Sequence, residues 1–322
     1  MKGLDTYQKE IIEDLVVQRV LPVSPGVLEK DFLTTEAIRA VASVSNDDTQ
    51  IIFCGGTCLA KAHKIVGRMS EDADFRVAVH EENTPSYNRR LMGEFKRRLL
   101  IALQDNGFVL QDEHCKAMDN NNNIQFTIPY KFAFSPVASL RPFIKIDFIK
   151  ITPLDTTAIR SIRPLAEEMF NITSTKQIDV RCIGIRETLA EKSVALLRRL
   201  SDDRTLYSKD IRLLRHLYDI DRIIKNGEQK WEPLLQELFN AKIQHDSQQF
   251  AIHCAGFATD PAKTMRATLS ELRSDPSHAE NYAKILSELV FEKNPPAFES
   301  AMATFENVAE LLLSEINDEP LV

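Results

Sequence analysis

The sequence predicts an N-terminal domain that mixes α-helices and β-strands, followed by a C-terminal domain made of helices alone. Gln50–Cys54 is a short apolar run rich in β-branched residues and followed by glycines, which favours a buried strand. Residues 142–151 alternate apolar and polar side chains with the period of a half-buried strand. From Arg186 onward we find helical periodicity only. We therefore divide the chain into domains 1–183 and 184–322.

The remaining elements follow from hydrophobic spacing and from turn-forming residues. Helical spacing predicts helices over 5–20, 28–44, 57–66, 87–103, 186–200, 208–225 and 229–240, the last containing Trp231, with further helices to residue 316. Alternating or continuous apolar patterns predict three more strands, over 74–79, 124–130 and 177–183. The asparagine-rich segment 119–123 is a loop by composition.

Composition and charge exclude several classes of protein. The 322 residues suffice for two domains, and 43% hydrophobic content is enough for real cores. A net charge of −7 argues against indiscriminate nucleic-acid binding, because that affinity needs an excess of Lys and Arg. The net charge does not exclude a local basic surface.

Cysteine usage and hydropathy indicate a cytoplasmic protein. The five cysteines are dispersed without CxxC or zinc-type spacing, so we expect free thiols in a reducing compartment and no structural zinc. Cys54 and Cys58 are predicted to be small buried side chains. The N-terminus lacks the apolar core of a signal peptide, and no run of about 18 uncharged apolar residues appears. We expect no membrane partner.

A glycine turn follows the first predicted strand. Gly55-Gly56-Thr57 joins this strand to a helix, and the glycines carry no Cβ that would block a phosphate from the backbone N–H groups. The same pattern also fits an ordinary tight turn between a strand and a helix.

Two aspartates follow one helix length later, in Ser70-Glu71-Asp72-Ala73-Asp74. Residues two apart in a strand project to the same side, so Asp72 and Asp74 place two carboxylates together. Close carboxylates repel unless a cation or a proton lies between them, and Mg²⁺ prefers such oxygen ligands. Glu71 faces the other way and is either structural or solvated.

A third carboxylate is expected from a neighbouring strand, because two metal ions commonly share a bridging ligand. Asp147 is the best candidate, since it shares one strand face with Lys145 while Ile146 and Phe148 share the other. The alternative for Asp147 is a solvated charge on a strand.

These residues resemble the nucleotidyltransferase-like AbiEii/AbiGii toxin family of type IV toxin–antitoxin systems. The family's glycine and aspartate motifs match Phe53-x-Gly55-Gly56-Thr57-x-Leu59-x-Lys61 and Arg68-x-Ser70-Glu71-Asp72-x-Asp74. Further matches are Leu28-Glu29-Lys30-Asp31-Phe32, Leu189-Ala190-Glu191-Lys192 and Arg215-His216-x-Tyr218-Asp219-Ile220. The resemblance covers about residues 28–225.

The resemblance implies a nucleotidyltransferase-like fold for the first domain and a metal-dependent toxin. It would transfer a nucleoside monophosphate from a nucleoside triphosphate to an acceptor hydroxyl, on tRNA or another RNA, and a cognate antitoxin would be its partner. Asp72 and Asp74, joined by Asp147, would hold Mg²⁺, with two ions expected. The implied nucleotide-binding residues are Gly55, Gly56, Thr57, Lys61, Arg68 and Ser70, and the functional residues of the helical domain are Lys192 and Asp219.

Two positions depart from the family pattern. Ala73 replaces a larger aliphatic residue, and His216 stands where an acidic residue is common, so the second motif differs from the family pattern at one position while Asp219 is retained. Lys192 has a second interpretation, a lysine at the surface that extends its stem over apolar neighbours. Asp219 is also four residues from Arg215, the spacing of an ordinary helical ion pair. The functional interpretation of these motifs places the site in a cleft between the domains.

Two groups of basic residues could receive an RNA backbone, although solvated helix faces look the same. Between Lys192 and Lys230, ten Lys or Arg face six Asp or Glu; the ten are Lys192, Arg198, Arg199, Arg204, Lys209, Arg212, Arg215, Arg222, Lys225 and Lys230. The predicted helix over 87–103 adds Arg89, Arg90, Lys96, Arg97 and Arg98. Transfer to a protein or a small molecule, and a nucleotide-binding regulator without catalysis, remain alternatives.

Overall fold

The chain forms two compact units. The computed structural model describes residues 1–20, 23–137, 140–172, 177–201, 211–226 and 234–316. The first unit comprises Met1–Lys64 and Arg68–Ile183, and the second comprises Ile65–Gly67 and Gly184–Val322. Among the described helices, none has the length and apolar character needed to cross a membrane.

The first unit is built on a seven-stranded mixed sheet in the order β3-β4-β5-β2-β1-β7-β6. Its strands are β1 Gln50–Cys54, β2 Asp72–Ala78, β3 Cys115–Met118, β4 Asn123–Pro129, β5 Phe143–Lys150, β6 Ala158–Ile162 and β7 Ile178–Cys182. The β2–β5 and β1–β7 pairs are parallel and the others antiparallel. This arrangement confirms the predicted mixed α/β domain.

Helices cover one face of this sheet. The helices of the unit are α1 Thr6–Val17, α2 Pro25–Ala42, α3 Gly55–Lys61, α4 Pro85–Asp105 and α5 Leu165–Met169. Helix α4 begins where Thr84 accepts a hydrogen bond from the backbone N–H of Tyr87, with proline in its first turn. Apolar residues of α2 and α4 pack with Phe53, Phe75 and Phe148 in one buried cluster. The hydrophobic core therefore lies on this face of the sheet. The residues of β2 and β5 that alternate with the core residues belong to the opposite face.

The second unit contains helices and, within its described residues, no strand. Its helices are α6 Ile185–Leu200, α7 Arg215–Asn226, α8 Leu234–Gln249, α9 Ala255–Thr259, α10 Pro261–Ser274, α11 Ser277–Leu289 and α12 Phe298–Ser314. The short segment Ile65–Gly67 belongs here because its backbone is held by this unit. The N–H of Gly67 donates to the Tyr218 hydroxyl at 2.9 Å, and its carbonyl accepts from the N–H of Phe291 at 3.0 Å.

Several details differ from the sequence predictions, among them the short helix α5, which was not predicted. The helix predicted over 57–66 ends at Lys61, and Lys64 adopts a left-handed φ of 56° that a continuing helix excludes. Strands β3 and β6 were not predicted, because they are short edge strands whose exposed residues show little apolar alternation. The second half of the helix predicted over 208–225 is α7, whereas its first residues and Trp231 lie outside the described residues.

Candidate active site

The glycine turn makes room for three polar side chains. Gly55 has a φ of 73°, and a Cβ there would overlap the carboxylate of Asp74. A Cβ on Gly56 would lie 2.7 Å from Nη2 of Arg68 and 2.9 Å from Oγ of Ser70. At Gly55 the positive φ and the overlap with Asp74 require glycine, whereas a Cβ at Gly56 would require the ends of the Arg68 and Ser70 side chains to shift. The structure therefore brings Gly55, Gly56, Arg68, Ser70 and Asp74 together.

Thr57 ties this turn to the start of β2. Its buried hydroxyl donates to the backbone carbonyl of Asp72 and lies 3.4 Å from the carbonyl of Ser70. Arg68 is also buried, and its Nη1 donates to the carbonyl of Met69 at 2.9 Å. Thr57 thus acts on the position of Asp72 through the backbone.

The three predicted carboxylates share one face of the sheet. In the parallel pair of β2 and β5, Asp74 lies opposite Asp147 and Asp72 lies opposite Lys145. Paired strands are about 4.8 Å apart, and residues two apart along a strand project to the same side. The intervening Ala73 is fully buried on the core side. Asp72, Asp74 and Asp147 accordingly form a carboxylate patch at the strands that border the glycine turn.

Basic and amide groups contact two of these carboxylates. Arg141 Nη1 lies 2.5 Å from Oδ1 of Asp72, and the ammonium of Lys145 pairs with Oδ2 of Asp147. The amide of Gln125, which lies opposite Asp147 on β4, donates to its Oδ1 at 2.9 Å. All of these side chains are at least partly accessible to solvent.

The carboxylate oxygens suit a hard divalent cation, and the register of β2 and β5 places Asp74 opposite Asp147. Carboxylate oxygens are the ligands that Mg²⁺ prefers, and the three aspartates lie on adjacent strands. No three His, Cys, Asp or Glu side chains of the described ranges are already arranged as a metal-binding group. Because the ammonium of Lys145 already contacts Oδ2 of Asp147, binding of a divalent ion to that oxygen requires this ion pair to rearrange.

A buried ion pair lies directly behind the patch. Lys30 on α2 contacts Oε2 of Glu71 at 2.7 Å, and both side chains are almost fully buried. Glu71 also accepts from the backbone N–H of Arg141 at 2.7 Å, while Lys30 donates to the Arg141 carbonyl at 2.8 Å. Burial lowers the pKa of Lys30, and Glu71 offsets part of that shift. Glu71 is thus structural, and its solvated alternative is wrong.

The neighbours of Lys30 on α2 anchor other segments. Glu29 accepts from the backbone N–H groups of Ala133 at 2.6 Å and Phe134 at 3.2 Å, and burial raises its pKa. Asp31 pairs with Lys61 at 2.6 Å, with both side chains nearly buried. The ammonium of Lys61, predicted to bind nucleotide, is therefore engaged in an internal ion pair.

In the second unit, Lys192 and Asp219 form a buried pair between α6 and α7. Lys192 Nζ lies 2.7 Å from Oδ2 of Asp219, which is fully buried. This burial excludes the interpretation of Lys192 as a solvated surface lysine. His216 Nδ1 lies 3.5 Å from the same ammonium, and burial together with the charges of Lys192 and Arg215 lowers its pKa well below the usual range. This shift favours the neutral imidazole, which can accept a hydrogen bond.

The predicted basic surfaces are only partly retained. On α4, Arg89, Arg90 and Arg97 are exposed. Arg98 instead donates to Thr49 at 2.7 Å and is structural. In the second basic group, internal ion pairs engage Lys192, Arg198, Arg222 and Lys225, and the positions outside the described residues are Arg204, Lys209 and Lys230.

The sequence reasoning missed Arg141 and Gln125. Arg141 could have been found from the sequence, because it directly precedes the strand predicted over 142–151. It is also separated from Lys145 and Asp147 by an even number of positions, so an extended chain projects all three side chains to the same side. Gln125 became visible only with the register of β4 against β5.

Comparisons with known proteins give a family match and a likeness of fold. The model of the family described as nucleotidyl transferase AbiEii toxin, type IV toxin–antitoxin system, matches residues 36–304. Among solved structures the chain is similar to MenT4, a nucleotidyltransferase toxin from Mycobacterium tuberculosis H37Rv. The TM-score is 0.55 at 16% identity, over 98% of this chain and 91% of that chain, a likeness of fold. A comparison with curated proteins finds no match.

Proposed function

The chain belongs to the AbiEii nucleotidyl transferase toxin family, and from that premise we propose a metal-dependent transfer of a nucleoside monophosphate to a hydroxyl on tRNA or another RNA. Family membership itself indicates a nucleotidyltransferase, with a nucleoside triphosphate as substrate and an antitoxin as partner. The metal, the acceptor and the role of each residue are the proposal.

The observation that carries it is the register of two aspartates. Asp74 on β2 lies opposite Asp147 on β5, Asp72 is on the same face, and the glycine turn packs against Asp74. We assign these carboxylates to one or two Mg²⁺ ions. When bound, the metal supplies neutralisation of the phosphate charge and activation of the acceptor hydroxyl.

The groups around the turn receive the phosphates in this proposal. Ser70 offers a hydroxyl beside Gly56, whereas the buried guanidinium of Arg68 acts from behind the turn, where its positive charge favours anionic oxygens. Gly56 allows the close approach of Ser70 and Arg68, and Gly55 allows that of Asp74. Thr57 and Lys61 act indirectly, Thr57 by holding the backbone at Asp72 and Lys61 by anchoring α2 through Asp31.

Lys192 and Asp219 are proposed as the functional pair of the helical unit. The ammonium of Lys192 would offset negative charge on the nucleotide, a contribution that grows in a site shielded from water. Asp219 and the neutral His216 orient that ammonium from α7.

An RNA acceptor is supported by one exposed surface. Arg89, Arg90 and Arg97 lie on the solvent side of α4, so a phosphate backbone could contact them without breaking an internal ion pair. Replacing all three with Gln is expected to weaken RNA binding and to reduce its salt dependence.

A labelling experiment tests the proposed function. The purified protein is incubated with each α-labelled nucleoside triphosphate, total RNA and Mg²⁺. We expect RNA to become labelled with at least one of the nucleoside triphosphates. The rate of labelling should fall at least about 10²-fold in Asp74→Asn and in Asp147→Asn. Asp179→Asn, an exposed carboxylate on β7, is the matched control and should keep the rate.

The location of the label decides between the alternatives. Label on protein or on a small molecule would overturn the RNA acceptor and keep the transferase. Nucleotide binding without transfer to any of the three would overturn the catalytic proposal.

A further inference from the structure

Two basic side chains contact carboxylate oxygens that the proposed function assigns to metal. Lys145 pairs with Oδ2 of Asp147, and Arg141 Nη1 contacts Oδ1 of Asp72 at 2.5 Å. Hydrogen bonds between charged groups are stronger than neutral ones, and a carboxylate oxygen engaged in this way is less available to a second cation. Lys145 and Arg141 therefore compete with a divalent ion for the same ligands.

The two basic residues differ in how firmly they are held. Arg141 also contacts Oε1 of Glu71 at 3.3 Å, and its backbone is fixed on both sides by the buried pair of Lys30 and Glu71. The side chain of Lys145 is exposed to a similar extent as that of Arg141 (24% against 28%), but its ammonium contacts Asp147, which is itself 32% exposed, whereas Arg141 contacts two carboxylates. A lysine has a flexible four-carbon stem and a compact charge, so Lys145 can leave one anion for another at small cost.

We propose that Lys145 couples metal binding to nucleotide binding. It holds Asp147 until the phosphates of a nucleoside triphosphate offer its ammonium another anionic partner, and it then yields the carboxylate to the divalent ion. Arg141 stays on Glu71 and Asp72 as a positioning residue. This inference rests on the proposed assignment of Asp72, Asp74 and Asp147 as metal ligands.

Linkage makes the coupling measurable without turnover. If the nucleotide raises metal affinity by relocating Lys145, the metal must raise nucleotide affinity by the same factor. Removing the ammonium should therefore increase the affinity for metal alone and reduce the effect of nucleotide on that affinity. A lysine with only a structural role would change stability and leave the coupling intact.

The experiment measures Mn²⁺ binding by electron paramagnetic resonance. The wild type, Lys145→Met and Lys150→Met are titrated with Mn²⁺ alone and with the α,β-methylene analogue of each nucleoside triphosphate. We expect Lys145→Met to bind Mn²⁺ alone about tenfold more tightly than the wild type and to lose most of the coupling with nucleotide. Lys150 is on the same strand but five residues from Lys145, so the alternation of the strand assigns it to the other face of the sheet. Its variant should therefore behave as the wild type.

An additional variant separates failure of the inference from failure of the proposed function. Asp74→Asn should lose Mn²⁺ binding with and without nucleotide, its fold being checked by circular dichroism. Equal Mn²⁺ binding by Asp74→Asn and the wild type would overturn the metal assignment itself. Loss of binding in Asp74→Asn, with Lys145→Met unchanged from the wild type in both affinity and coupling, would overturn the role of Lys145 alone.

Discussion

The carboxylate of Asp74 fills the space that a side chain on Gly55 would need. Gly55 also has a φ of 73°, a conformation that residues with a Cβ adopt at a cost. Two independent constraints, one from the backbone and one from the neighbouring strand, thus require glycine at the end of β1. The position of a proposed metal ligand depends on a residue that carries no functional group.

Gly55→Ala is expected to lower both stability and transfer activity. The positive φ costs about 1 kcal/mol, and the overlap with Asp74 adds to it and displaces the carboxylate. Gly107→Ala is the matched control, because Gly107 has a φ of 84° with its nearest side-chain atom 3.9 Å away. Chemical denaturation and the labelling assay on both variants measure the two effects. An equal loss of activity in the two variants would contradict the proposed role of Gly55.

The buried pair of Lys30 and Glu71 should contribute far more to stability than an exposed pair of the same type. Lys30→Met leaves Glu71 buried without its ammonium partner, and we expect a loss of about 3–5 kcal/mol. Lys64→Met removes a pair with Glu168 whose side chains are 51% and 33% exposed, so about 1 kcal/mol or less is expected.

Urea denaturation of both variants provides the comparison. The double variant Lys30→Met with Glu71→Leu should recover part of the loss, since no unpaired charge is then buried. If Lys30→Met costs no more than Lys64→Met, the anchoring role of α2 behind Asp72 is wrong.

The mixed sheet and the helical half were predictable because they rest on local patterns. Alternation in β5 and the apolar run of β1 reflect which residues face the core, and that information is local. The edge strands β3 and β6 were missed, since exposed edges bury too few residues to leave an alternating pattern. The end of α3 was missed because a left-handed Lys64 has no sequence signature.

The site was predictable only as a set of residue types. The spacing of Asp72 and Asp74 gave their shared face, whereas the alignment of Asp74 with Asp147 depends on a strand register between distant segments. The same limit applies to Glu71, whose burial depends on Lys30 from α2. Arg98 was grouped with basic surface residues, and its bond to Thr49 is a tertiary contact that composition does not reveal.

His63 is expected to make the first unit sensitive to acid. Its Nε2 contacts the carbonyl of Ile183 at 3.0 Å and so carries the proton, while Nδ1 is buried without a hydrogen-bond partner among the described residues. Burial and the nearby charge of Arg160 lower its pKa from 6.5 to about 4. Between these pH values the unfolded chain binds more protons than the folded one. The free energy of unfolding therefore decreases as the pH is lowered.

The free energy of unfolding should decrease by up to about 3 kcal/mol between pH 6.5 and pH 4 because of this residue. His63→Gln can keep the hydrogen bond to Ile183 and should remove this part of the pH dependence. His80→Gln, at an exposed position, should retain it. The slope of stability against pH, measured by urea denaturation, decides the matter, and an identical slope in the wild type and His63→Gln would contradict the prediction.

Lys192 should differ from Arg198 in function although both are charged residues of α6 in buried ion pairs. Lys192→Met leaves Asp219 fully buried without its ammonium partner, so we expect a loss of about 3–5 kcal/mol in stability. Arg198→Met should cost less, because Lys242 still lies 3.0 Å from the carboxylate of Asp246. Both variants therefore report a broken buried pair, but only one breaks the proposed functional pair.

Transfer rates are compared at a temperature where circular dichroism shows both variants to be folded. Lys192→Met should lose at least about 10²-fold in rate, as expected for removal of a charge that stabilises the transition state. Arg198→Met should keep the wild-type rate, since its guanidinium contacts Asp246 and the ring of Phe250 within the helical unit. Activity losses that follow the stability losses of the two variants would instead assign Lys192 a purely structural role, and the helical unit would then contribute no catalytic charge through this lysine.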